Sequence, residues 1–123
     1  MSILGGNSSG ASQINLGDVN DENVGQIGYY HADNSMRFVV NANERVRIDS
    51  SGNLLVGRTS TSFGVVGTQL ASDGAIVAER SANPIITLNR LSTDGEMQRF
   101  YKDGTQVGSI GSTIGNAYFA GSS

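Results

Sequence analysis

Cysteine is absent from the 123 residues, so neither a disulfide nor a thiolate metal site is available. No run of 18 apolar residues occurs, which leaves no membrane-spanning helix to expect. Positive charge is sparse. Eight Lys and Arg are scattered against eleven Asp and Glu, for a formal net charge of −3. Nucleic-acid surfaces usually need a basic stripe, so no such partner is expected. The opening MSILGGNSSG carries no basic region and is too short for a signal peptide, so no secretory leader is expected there. Helical patterning is scarce too. Only GAIVAERSAN offers two helical turns, and its β-branched Ile76 and Val77 fit a strand equally well.

What is present is turn-forming. Gly, Ser, Asn and Thr number 17, 16, 11 and 7, residue types that favour turns and short β segments. Leu, Ile, Val and Phe number 30, which lifts the chain above the composition of disordered proteins. That apolar inventory is thin and scattered, so one copy buries a modest core at best. Oligomerisation is therefore expected.

From Ile14 onward the pattern alternates with period two. SMRFVVN places Met36, Phe38 and Val40 on one face, and Arg37 and Val39 on the other. ERVRID places Val46 and Ile48 opposite Arg45, Arg47 and Asp49. Such alternation marks half-buried strands. Ser50-Ser51-Gly52-Asn53 reads as a turn, after which Leu54 and Val56 resume the pattern. Asp73-Gly74, Asp94-Gly95 and Asp103-Gly104 repeat the device. Pro84 opens PIITLNR, where the first residue of a strand can do without an N–H. The predicted organisation is a loose segment over 1–13, a β module over 14–57, a connecting segment over 58–69 and a second β module over 70–123.

The residues offer little for catalysis. His31 is the single histidine and no G-x-S-x-G elbow is present. GDVNDEN suggests calcium, but counting from Asp18 puts Asn23 and Tyr29 where an EF-hand loop needs Gly and Glu. An Asx-stabilised turn is the expectation. GSIGSTIG lacks the Lys-Ser/Thr of a phosphate loop. Neither enzymatic activity nor a cofactor is expected. Tyr29, Tyr30, His31, Tyr118 and Phe119 are the candidates for surface recognition, since aromatic side chains stack on sugars as well as filling thin cores.

INLGDVNDENVGQIGYYHADNSMRFVVNANERVRIDSSGNLLVG, together with RFYKDGTQVGSIG further on, resembles a repeat module of bacteriophage tail fibres and related virion appendages. The matching positions run in order from Gly17, Asp18 and Asn23 through Asn34, Ser35, Met36 and Phe38 to Arg45, Arg47, Ile48, Gly52, Asn53 and Gly57. There are departures. Gly57-Arg58-Thr59-Ser60-Thr61 lacks the family's proline, and these residues hold no self-cleaving chaperone domain of the kind that ends many such fibres.

The resemblance implies an all-β chain of short Gly-rich strands and hairpins, wound with two further copies into an elongated, intertwined homotrimeric shaft. It implies a virion location outside the cell, with other tail proteins as partners. Met36, Phe38, Val40, Val46, Ile48, Leu54 and Val56 are then expected as the trimer core. The leading functional expectation is a structural segment that presents or spaces a host-recognition tip. The alternative is an adhesion module that itself binds host polysaccharide or protein. A glycan-cleaving spike is a third class, for which the scattered, turn-bound acids give no support.

Overall fold

The computed structural model describes residues 7–121. The described residues hold ten strands and no helix, in two antiparallel sheets. The strands are β1 (Ala11–Leu16), β2 (Gly25–Tyr30), β3 (Ser35–Val40), β4 (Asn43–Ile48), β5 (Leu54–Val56), β6 (Gly67–Leu70), β7 (Ile76–Glu79), β8 (Gly95–Lys102), β9 (Thr105–Thr113) and β10 (Asn116–Gly121). The chain divides into two units between Ile85 and Ile86. The first carries a seven-stranded meander in sequence order, and the second a three-stranded sheet with β9 in the middle.

Local chemistry explains the turns. Between β4 and β5, the Asp49 carboxylate accepts the N–H groups of Ser51 and Asn53 and the Asn53 side-chain amide, each at 2.9 Å. Gly52 takes φ +84°, a left-handed conformation that only glycine adopts without cost. Asn53 also accepts the Ser72 N–H at 2.9 Å, tying this turn to the one between β6 and β7. The β3–β4 hairpin is a two-residue turn in which Asn41 and Ala42 both have positive φ, the type I′ arrangement that matches strand twist.

Several expectations need correction. Residues 1–6 of the expected loose segment lie outside the described residues, but Ala11, Ser12 and Gln13 already belong to β1 and pair with β2. Alternation through ASQINL carries the pairing back that far. The 58–69 segment is not a boundary either. Gly67–Leu70 forms β6, which pairs with both β5 and β7, so the first unit runs on to Ile85. GAIVAERSAN is a strand over Ile76–Glu79, as its β-branched residues allow. PIITLNR forms no strand, and Asp94-Gly95 is no hairpin, because nothing before it pairs with β8.

In the second unit Tyr118 of β10 is paired opposite Gly111 of β9. A Cβ on Gly111 would come within 2.4 Å of the Gly95 carbonyl oxygen and 2.7 Å of the Tyr118 hydroxyl. The aromatic ring fills space that only a glycine leaves. Gly111→Ala is therefore expected to destabilise this unit by about 1–3 kcal/mol, the usual cost of overpacking. Thermal denaturation of the variant against the parent checks it. An unchanged transition would show that the ring gives way freely.

Candidate interaction surface

The register of the seven-stranded sheet aligns apolar side chains in two rows. One row crosses the sheet as Ile14, Ile27, Phe38, Val46 and Val56, then Thr68 and Ala78. The other runs through Ser12, Tyr29, Met36, Ile48 and Leu54 to Leu70 and Ile76. Alternation along each strand puts both rows on one face. Leu16 and Val40 extend that face by the same parity.

This face is open. Ile14, Ile27, Phe38, Ile48, Val56, Leu70 and Ile76 are all exposed. In β3 the usual order is reversed: Met36, Phe38 and Val40 are exposed while Ser35, Arg37 and Val39 are more covered. Among the described residues, Leu55 is the one fully buried apolar side chain, at 1% exposure, and it points to the opposite face.

On that opposite face the charged side chains pair with one another. Arg37 pairs with Asp33 and Glu44, and Arg47 pairs with the same two acids. The Arg37 guanidinium lies 4.1 Å from the centre of the Tyr30 ring, a cation–π contact. Arg58 is buried at the end of the unit. It donates to the Ser60 and Ser62 carbonyls at 2.6 Å and to Glu79 at 2.9 Å, while Glu79 also accepts the Gly64 N–H. On this face the buried Gln69 Oε1 alone lacks a partner among the described residues, whereas the apolar face has no cover there.

All seven residues expected as a core, from Met36 to Val56, share the apolar face. Ile14, Leu16, Ile27, Leu70 and Ile76 join them. For Ile14, Leu16 and Ile27 the signal was the same alternation in SQINL and GQIGY, too short in each strand to stand out; Leu70 and Ile76 lie in strands of only four residues. Within neither unit do the residues expected for recognition share one face. Tyr29 and His31 lie on the apolar face, with rings 5.2 Å apart in an edge-on arrangement and the Ser12 hydroxyl 3.0 Å from His31 Nε2. Tyr30 is on the other face over Arg37. Tyr118 and Phe119 likewise diverge. Phe119, 80% exposed, stacks on Phe100 at 6.2 Å while Tyr118 covers Gly111.

The acidic turn at Asp18 spends its carboxylate on the chain itself. Asp18 Oδ1 accepts the N–H of Asn20 at 2.8 Å and of Asp21 at 3.1 Å, which lowers its pKa. Among the described residues no group of three His, Cys, Asp or Glu side chains is placed to hold a metal.

Two further carboxylates make the first unit acid-sensitive. Asp33 is held below the usual carboxylate range by the Ser35 hydroxyl foremost, with Arg37 and Arg47 adding to it and burial opposing. Burial pushes Asp49 upward, but the hydrogen bonds from Asn53, Ser51 and Gly52 outweigh it and the net shift is down. With both pKa values depressed in the folded chain, the unfolded chain binds more protons in acid. The stabilisation is therefore complete above about pH 5 and is lost as pH falls below about 4, through the folded values. A pH series of thermal transitions should be flat near neutrality and fall in this acid window. A curve still flat at about pH 3 would contradict the arrangement.

Comparison with family models, curated proteins and solved structures found no match.

Proposed function

We propose that the protein is a structural, self-assembling β module. Three copies bring their apolar faces together around one axis and form a segment of an elongated bacteriophage tail-fibre shaft. Its work is mechanical: it presents or spaces a host-recognition tip on the outside of the virion, in contact with other tail proteins. One observation carries this reading. The seven-stranded sheet leaves two cross-strand rows of apolar side chains open while its charged face is paired within the chain.

An antiparallel sheet with one solvated face normally covers the other. Exposed apolar areas of this extent mark interaction sites. Burying one Ile, Val, Leu, Met or Phe side chain yields about 1.5–3 kcal/mol, so ten such residues per copy, even half covered, supply ample driving force for association. Self-association also shields the unpaired edges of β1 and β7, which otherwise invite aggregation. The count of three and the virion setting rest on the resemblance of residues 14–57 and 99–111 to tail-fibre modules. Small-angle scattering tests the shaft: an elongated particle supports it, and a compact globule contradicts it.

A further inference from the structure

Residues 80–94 join the two units, and every one of them is exposed. Within this stretch PIITLNRL, residues 84–91, carries four large apolar side chains: Ile85, Ile86, Leu88 and Leu91 are 55, 67, 48 and 76% exposed. Among the described residues, the backbone groups of 85–90 have no backbone hydrogen-bond partner.

The stretch is nevertheless delimited like a strand. Among the described residues, seven non-glycine residues have positive φ: Asn34, Asn41, Ala42, Asn83, Ser92, Asp103 and Ile114. Asn34, Asn41, Ala42, Asp103 and Ile114 lie in turns that join paired strands. The other two, Asn83 and Ser92, each at φ 70°, bracket residues 84–91. Eight residues is an ordinary strand length. Pro84 stands at the first position, where a strand tolerates a missing N–H. Ile85, Ile86 and Thr87 are β-branched and favour extended backbone. The far end is anchored, since the Arg90 guanidinium donates to the Thr93 and Glu96 carbonyls at 3.0 and 3.1 Å. The run therefore has ends and propensity but no partner.

We infer that residues 84–91 become a strand only on association, by pairing with a free sheet edge of a second copy of this chain. This rests on the self-assembly proposed above and names the segment that crosses between copies. The side chains favour a second copy over the chain's own edges. Ile85 and Ile86 are adjacent, so an extended backbone turns them to opposite faces. A strand apolar on both faces needs cover on both, and the seven-stranded sheet of a single copy offers one charged face and one apolar face that is itself open. Assembly supplies both the edge and the second cover.

Hydrogen exchange on the assembled protein tests this, with the Ile48→Asp variant as the monomeric reference. The amides of Ile86 to Asn89 should exchange at least about tenfold more slowly in the assembly. Thr87→Pro should leave the circular dichroism of the single chain unchanged, because no hydrogen bond is lost there, and should reduce assembly by removing a ladder donor. An assembly in which these amides exchange as fast as in the monomer would overturn this inference and leave self-assembly standing. So would a Thr87→Pro chain of parental mass. If the parent itself is monomeric, the assembly reading falls and this inference falls with it.

Discussion

Ile48→Asp yields a chain that folds but remains a monomer of 12.8 kDa. Ile48 sits between Met36 and Leu54 in the second apolar row and is 42% exposed in the single chain. A carboxylate there stays in water while the chain is alone, so the sheet itself loses little. In the assembly the same carboxylate is buried once per copy without a partner. A cost of about 3 kcal/mol per copy weakens association by roughly 100-fold for each copy. Ile48→Val, which keeps the row apolar, should assemble like the parent. Circular dichroism and light scattering on both variants separate folding from assembly. Normal assembly of Ile48→Asp would mean that this face points to solvent in the particle.

Arg58→Ala acts on the fold instead. The Arg58 side chain is fully buried, and it bridges Glu79, Ser60 and Ser62. Its removal leaves a half-buried carboxylate and two carbonyls without a cationic partner. Breaking such a pair costs about 3–5 kcal/mol, which for a unit of this size lowers the melting temperature by at least about 12 °C. Residues 58–66 and the β6–β7 hairpin should lose hydrogen-exchange protection first. Arg58→Lys should recover little, because one ammonium cannot reproduce the guanidinium's fork of donors. A parental melting temperature for Arg58→Ala would show that the buried pair contributes nothing.

The two classes of residue differ in how legible they were. Met36, Phe38, Val46 and Ile48 were readable because alternation over six residues fixes a common face whatever the partner strand. The turns at Gly52, Gly74 and Gly104 were readable because positive φ selects glycine. The Asn41-Ala42 turn carried no such mark, since alanine seldom takes φ +55° and tertiary pairing imposes it here. Asp94-Gly95 had the mark without the hairpin, because a dipeptide states a local preference and not a partner.

Arg58 was not legible at all. Its ion pair closes over 21 positions with Glu79, and nothing local in GRTSTS signals it. The inverted exposure of β3 was hidden for a related reason. Alternation reveals that two faces differ, but which face is covered depends on neighbours outside the strand. Here the charged face covers itself, through Arg37, Arg47, Glu44 and Asp33. The apolar face is left open.

The mass of the parent chain in solution, by light scattering after size exclusion, decides most directly whether the open face is an assembly surface. A particle of about three times 12.8 kDa is the expected result. A stable monomer of 12.8 kDa at concentrations well above micromolar, with its apolar rows in water, would contradict it.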